Sequence, residues 1–507
     1  MLELRINDSR VAPGDIEPGT TLLDYLRNTM RLTGTKEGCA SGDCGACTIV
    51  VGYLQEPARS QTQSIETGAV VYRTLNSCIT PLAALHGTQV LTVEGVGNDT
   101  CPHAVQRAMV EQHGSQCGFC TPGFVMSMVG LSLRTTPADP SASPAVTAES
   151  LRPALGGNLC RCTGYRSILD AGVQALSSTA TPIAVLEQAA TVLREISTHS
   201  VKPGLQTRYF QPATESELQG LLAEDADRPA RIVAGGTDLW LEVTQQYHRF
   251  EKVIDISRVD TLSRTELTQD ALTIGAAVTH ERLESLFARH GLIPCAAIIG
   301  MLDRFASPQI RHRGSLGGNL ANGSPIADWP PVLLALGALV HIGSVSGTTT
   351  RLPMEAFHEA YRKTALGRGQ YVQAVEIPLP VDWSALQVFK ITKRHEDDIS
   401  SVLGAFYFQI DDGRICHARV AYGGVAATPL RVPTVEAMLL GHAPDSFLPG
   451  QAPSTRLLEA LGGVVKPISD VRASAAYRSA MAVALLQKAL AVAAGYGDAD
   501  LLAVRPA

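Results

Sequence analysis

Three cysteines within nine residues, Cys39, Cys44 and Cys47, constrain this chain more than any other feature. They stand at C-x4-C-x2-C spacing, and their neighbours are small: Gly38, Ala40, Ser41, Gly42, Gly45 and Ala46. Glycine accepts φ > 0 and lets the backbone come close to a bound group, so a loop this light can wrap tightly. The spacing is that of plant-type ferredoxins, which take a fourth cysteine from farther along. Cys78, in Leu75-Asn76-Ser77-Cys78, is the fourth candidate. A [2Fe–2S] rhomb needs two thiolates on each iron, and backbone N–H groups aimed at sulfur tune its potential. Structural zinc prefers paired C-x2-4-C knuckles, which this triplet is not.

A second set follows. Cys117 and Cys120 form C-x2-C, and Cys160 and Cys162 form C-x-C about forty residues later. Both pairs read as lying at helix starts, where free N–H groups and the helix dipole favour thiolates. Taken alone, this set leaves a zinc knuckle open. Beside a ferredoxin-type loop, a second cluster makes an electron path, which a lone zinc does not. Cys101 belongs to neither set and is expected to be a small buried side chain. Eleven cysteines in a chain of 507 residues, with no secretory pattern at Met1–Ile6, point to metal or catalysis rather than disulfides.

The length implies about three to five domains. Net charge is −6 with no long run of one sign, which argues against nucleic acid or an anionic membrane as partner. No apolar run reaches the ~18 residues of a bilayer span. The alternating start lacks a basic and then apolar leader, so the expected location is cytoplasmic.

In order, residues 1–88 read as a small α/β unit. It has a capped helix after Thr20-Thr21, strands at Thr48–Val51 and Val70–Arg73, and a polar surface excursion over 55–69. Residues 89–176 open on a strand at Gln89–Val93 and turn helical, with Pro102 suited to a first helical turn and a Pro/Ala/Ser-rich loop over 135–147. Residues 177–204 read as a linker around a helix at 184–196. An α/β domain spans 205–381 and a smaller one 385–495. Within the first, Arg231, Ile232, Val233, Ala234, Gly235, Gly236, Thr237 and Asp238 form a strand running into a double glycine. That is either a plain strand-to-turn corner or a diphosphate cradle of backbone N–H groups. No Walker or Rossmann fingerprint is present. The stretch Arg313 to Asp328 is so rich in Gly, Asn and Ser that it reads as a ligand loop offering donors to phosphate and ribose. Asp328 either accepts from hydroxyls or caps the helix at Trp329. Lys393 to Asp398 reads as a solvated turn.

The order of these motifs resembles the small, iron–sulfur/FAD subunit of bacterial xanthine dehydrogenases, of the molybdenum hydroxylase family. Ser41–Cys47, Asn76–Cys78, Gln116–Gly123 and Asn158–Arg166 are similar to its two cluster signatures. Val233–Leu239, Gly317-Gly318-Asn319 and Ser324–Asp328 are similar to its FAD motifs, and Tyr361–Thr364 and Arg394–Ile399 to signatures near the flavin edge.

The resemblance implies a multidomain α+β chain. Its parts would be a β-grasp ferredoxin-like [2Fe–2S] domain, a helical [2Fe–2S] domain, a vanillyl-alcohol-oxidase (PCMH-type) FAD domain, and a C-terminal α+β domain like that of CO-dehydrogenase flavoproteins. It implies that Arg231–Asp238 hold the FAD pyrophosphate and that Phe305 lies against the isoalloxazine. Ser315, Gly318, Asn319, Asp328, Val372 and Lys390 would also contact FAD, with Tyr361 and Asp397 on the NAD side. No acid or base is assigned in this chain, because hydride transfer from a reduced flavin does not require one.

The implied activity is electron transfer from a molybdenum cofactor in a partner subunit, through two clusters and FAD, to NAD⁺. That transfer would accompany hydroxylation of hypoxanthine and xanthine to urate. The Cys117/Cys120/Cys160/Cys162 cluster would face molybdenum and the Cys39/Cys44/Cys47/Cys78 cluster the flavin. The partner would be a molybdopterin-binding large subunit in an α2β2 heterotetramer. Alternatives are the same role in an aldehyde- or other N-heterocycle-oxidising relative, and a non-catalytic electron carrier. Two departures stand out: a long Cys47–Cys78 interval, and Asp238 where some members have Glu.

Overall fold

A computed structural model describes residues 2–54, 70–135, 146–177, 183–198, 208–224 and 230–496. The excursion at 55–69, most of the loop at 135–147 and both ends of the linker lie outside them. The chain forms two compact units. The first comprises Met1–Ala213, Asp227–Arg258 and Ser307–Gly314; the second comprises Thr214–Ala226, Val259–Ala306 and Ser315–Ala507. The stretch 205–381 therefore contributes to both.

The first unit opens with a five-stranded mixed sheet. Its order is Ser9–Val11, Leu4–Ile6, Gln89–Leu91, Thr48–Leu54, Val70–Asn76. Only Leu4–Ile6 and Gln89–Leu91 run parallel. A helical turn begins where the hydroxyls predict: Thr21 accepts from the Asp24 N–H, and Leu22, Leu23 and Leu26 are buried beneath it. The register Thr48↔Asn76 sets Cys47 beside Ser77 and Cys78 at one end of a hairpin. Four helices follow: Ala104–Glu111, Thr121–Thr135, Ala148–Leu155 and Arg166–Leu176. Val105, Met109, Phe124, Met128, Leu151 and Ile168 share their core. Pro102 stands outside the first of them, because His103 takes the cap in a reciprocal pair with Gln106. The linker helix is broken at Gln188, whose φ is 63°. Three short parallel strands, in the order Tyr209–Phe210, Val253–Asp255, Arg231–Val233, complete the unit.

The second unit holds a five-stranded antiparallel sheet. Its order is Thr349–Pro353, Leu339–Ser344, Gln370–Pro378, Ala271–Gly275, Thr265–Leu267. A four-stranded antiparallel sheet runs Leu386–Ile391, Val402–Asp411, Arg414–Gly423, Leu430–Arg431. The long helix Ala475–Ala493 buries Leu485, Leu486 and Leu490 with that sheet's residues. Two expectations are corrected here and in the first unit. The Gly-rich stretch 313–328 contains a helix, Leu316–Ala321, whose Leu316 and Leu320 are core residues. Cys101 is exposed, in a turn where the Asn98 side chain accepts from the Thr100 and Cys101 N–H groups. No helix among the described residues is long and apolar enough to cross a membrane.

Candidate redox sites

The first four thiols converge. Cys47 and Cys78 are buried with their Sγ atoms 3.3 Å apart. Cys39 is hydrogen-bonded with Cys44 and also with Cys78, and is pushed strongly down by those bonds in that order. Cys44 and Cys78 are pushed up as the partners of Cys39. Cys47 is lowered, first by its bond with Cys78. A metal that demands thiolates displaces the thiol protons of the set. The loop geometry depends on glycine at two points. A Cβ on Gly38 would stand 2.8 Å from Cys44 Sγ. Gly42, at φ 82°, offers its carbonyl to Asn76 Nδ2 at 2.7 Å. The Ser41 N–H donates to Cys39 Sγ at 3.4 Å.

The second set meets as Cys120 with Cys160 and Cys117 with Cys162. Burial, then the bond with Cys160, pushes the Cys120 thiol up to about 12. Burial opposes ionisation of Cys160 as well. There the Thr163 hydroxyl (3.2 Å) and N–H (3.5 Å) and the Cys162 N–H outweigh it and lower the thiol. Cys120 directly precedes the helix Thr121–Thr135, as its sequence implies. Cys160 and Cys162 precede Arg166–Leu176 by a turn that ends on Tyr165 at φ 69°. Cys117 and Cys162 are exposed and Cys160 is buried.

The second set meets two by two, and the first as a run from Cys44 through Cys39 and Cys78 to Cys47. Two thiolates per iron is what a [2Fe–2S] rhomb requires, whereas zinc asks for four ligands round one centre. Both sets fit the cluster.

The candidate flavin residues fall in both units. In the first, Arg231–Val233 is a strand and Gly236 has φ 76°. A Cβ on Gly235 would collide with the Arg313 carbonyl, and Arg313 Nε donates to Gly235 O at 2.9 Å. This is a backbone approach that only glycine permits. The Arg231 guanidinium pairs with Glu242 and lies over the Phe250 ring. Ala234 and Thr237 are half-buried and Asp238 is exposed.

In the second unit, Ser315 caps Leu316–Ala321 by accepting from the Gly318 N–H at 3.1 Å. Asn319 Oδ1 is buried with no hydrogen-bond partner among the described residues. A buried carbonyl in want of a donor fits a polar ligand group. Asp328 starts the helix Trp329–Ala335, but its side chain makes no cap. It receives Lys390 Nζ at 2.6 Å and Ser400 Oγ at 2.5 Å. Lys390 Nζ lies 5.7 Å from the centre of the Phe305 ring, and Phe305 packs on His280. Arg304 pins the neighbouring strand end through Lys390 O at 2.6 Å and Thr392 Oγ1 at 2.8 Å. Phe305, Asp328 and Lys390 are therefore one cluster. Val372 is buried on Gln370–Pro378. Tyr361 and Asp397 lie in separate turns. Tyr361 is exposed, and Asp397 has φ 49° beside Asp398, which accepts from the Lys393 and Arg394 N–H groups. Arg304, Ser400 and His280 carry no local sequence signal; only the fold brings them to these positions.

Four family models match in succession. Residues 7–83 match the 2Fe-2S iron-sulfur cluster binding domain, and 92–173 the [2Fe-2S] binding domain. Residues 205–380 match the FAD binding domain in molybdopterin dehydrogenase, and 387–493 the CO dehydrogenase flavoprotein C-terminal domain. With the relatives that follow, these place the chain in the molybdenum hydroxylase family, as an iron–sulfur/FAD portion of such an enzyme.

Xanthine dehydrogenase of Drosophila pseudoobscura pseudoobscura is 31% identical, over 96% of this chain and 38% of its own length. Xanthine dehydrogenase/oxidase of Gallus gallus is 31% identical, over 84% of this chain and 35% of its own. The chain thus spans little more than a third of these curated relatives. Among solved structures, reconstituted CO dehydrogenase from Oligotropha carboxidovorans matches at TM-score 0.51 and 26% identity, over 57% of this chain and 98% of that one. Quinoline 2-oxidoreductase from Pseudomonas putida 86 matches at TM-score 0.50 and 26% identity, over 58% and 97%.

Proposed function

We propose that this chain is the iron–sulfur/FAD subunit of a xanthine dehydrogenase. Electrons withdrawn from hypoxanthine or xanthine at a molybdopterin cofactor in a partner subunit would pass along it to NAD⁺. The observation that carries the reading is the convergence of two thiol quartets in a chain that also matches an FAD-binding domain. Cys39, Cys44, Cys47 and Cys78 would hold one cluster, and Cys117, Cys120, Cys160 and Cys162 the other. Arg231–Asp238, Phe305, Ser315, Gly318, Asn319, Asp328, Val372 and Lys390 would hold FAD, with Tyr361 and Asp397 toward the nicotinamide. When bound, these groups supply single-electron and hydride chemistry, and the protein supplies spacing and electrostatics. The chain's own residues bind and orient; none is assigned a proton-transfer role. The assembly would be a cytoplasmic α2β2 heterotetramer.

The purine substrate rests on the names of the 31%-identical relatives. A second reading, an aldehyde- or other N-heterocycle-oxidising enzyme, draws on the likeness to quinoline 2-oxidoreductase. Co-purification with the partner, followed by an NAD⁺ reduction assay, separates the two. Xanthine-dependent NADH formation is expected. Activity with an aldehyde or quinoline and none with xanthine overturns the purine assignment.

A further inference from the structure

The two cysteine loops are fastened to each other by a contact that neither motif accounts for. The Leu159 N–H, next to Cys160, donates to the carbonyl of Cys44 at 3.0 Å. Around this bond three glycines meet with no room for a side chain. A Cβ on Gly45 would collide with the Gly157 carbonyl, one on Gly123 with the Gly45 carbonyl, and one on Gly157 with Ser307. A polar knot closes over them. Asn158 Nδ2 donates to Gly45 O at 3.1 Å, and Thr48 Oγ1 donates to the same carbonyl at 2.7 Å. Ser127 Oγ donates to Asn158 Oδ1 at 2.7 Å. Gln309 Nε2 reaches Thr48 Oγ1 and Ser127 Oγ, each at 3.2 Å, and Asn158 Oδ1 at 3.3 Å. All four side chains are buried, with Gln309 1% and Asn158 3% exposed. Gln309 Oε1 has no partner among the described residues, but the amide donors of Gln309 and Asn158 are used, and these bonds favour one arrangement.

We propose that Leu159 N–H···O=C Cys44 is the crossing point for electrons between the two thiolate sets, and that Asn158 and Gln309 are its positioning residues. The inference rests on the electron-transfer reading above. Cys160 is then the exit ligand of one set and Cys44 the entry ligand of the other. In the transfer, a cluster held by Cys117, Cys120, Cys160 and Cys162 would be left oxidised by one electron and one held by Cys39, Cys44, Cys47 and Cys78 reduced by one. No bond forms or breaks and no proton moves. Gln309 comes from the segment Ser307–Gly314, so the crossing is held by a part of the chain outside both cysteine motifs.

The test uses the full chain with Gln309→Leu and Asn158→Ala, reduced by dithionite and read by electron paramagnetic resonance and by rapid freeze-quench. In the wild type both reduced sets should give signals split by their mutual magnetic interaction. In the variants both signals should keep their g-values while the splitting is lost. Transfer between the sets should slow several-fold in both variants. Gln309→Glu, which keeps one oxygen and loses the amide donors, should behave like Gln309→Leu. Unchanged splitting and rate in fully loaded variants overturn the inference alone. A wild-type chain with neither iron–sulfur signal overturns the electron-transfer reading, and the inference with it.

Discussion

Lys390, with 2% of its side chain exposed, is paired with Asp328, at 4%. Removing one partner of such a pair strands the other. Asp328→Asn is therefore expected to cost about 3–5 kcal/mol in urea unfolding, and Asp328→Asn with Lys390→Met clearly less. Equal losses in the single and double variants would mean the pair is not the source. Arg478, 1% exposed, is held in the same manner by Asp470 at 2.8 Å. Burial raises the Asp470 carboxyl, but the Ala473 and Arg472 N–H groups and Arg478 outweigh it and hold the group below its ordinary value. A carboxyl lowered in the fold stabilises above its unfolded pKa and stops doing so as pH falls through the folded one. Asp470→Asn should thus lower Tm at neutral pH, and the gap to wild type should close in acid below the ordinary carboxyl range. A gap that persists unchanged at pH 2 would contradict this. Cys44→Ser, in protein that still folds and carries flavin, should block electron delivery to FAD while NADH still reduces the flavin. Equal loss of both would misplace the first cysteine set. At this scale the sequence reveals ligands better than their supports. The eight cysteines announce themselves by spacing, whereas Gln309 meets Thr48, Ser127 and Asn158 across 261, 182 and 151 residues, and no local pattern marks such a partner.

Elements were legible where a cap or an alternation stood at the boundary. Thr21 and the β-branched run from Thr48 both mark what the structure contains. The stretch 313–328 was harder, because its glycines have two different tasks. Gly317 is there because a Cβ would meet Ala276, which is packing, while Gly318 is exposed beside Asn319. Cys101 departs from a cysteine's usual burial because an Asn98 turn holds it at the surface. The glycines also separate close packing from simple flexibility. Gly123→Ala, facing the Gly45 carbonyl, should destabilise by about 1–3 kcal/mol. Gly220→Ala, in the helix Glu215–Ala223 with open space around it, should stabilise by about 0.5–1 kcal/mol. Thermal melts of the two variants shifting in the same direction would contradict that distinction.

Over the whole molecule, the order of domains follows from the motifs, but the boundaries of the compact units do not. Residues 205–380 match one FAD-binding family model, yet its three-stranded parallel sheet and the short segment Ser307–Gly314 belong with the iron–sulfur domains. Eight residues that return to an earlier unit leave no trace in composition or periodicity. Their identity becomes meaningful only once Gln309 and the Gly45 loop are seen together.

On the proposed function, two iron–sulfur clusters and a flavin in one chain form a single electron path. Its most direct test is an anaerobic NADH titration of the purified chain, followed by flavin absorbance and electron paramagnetic resonance. The flavin is expected to bleach, and two distinct reduced iron–sulfur signals then to grow in. Flavin bleaching with neither signal, or zinc in place of iron in either cysteine set, would contradict it.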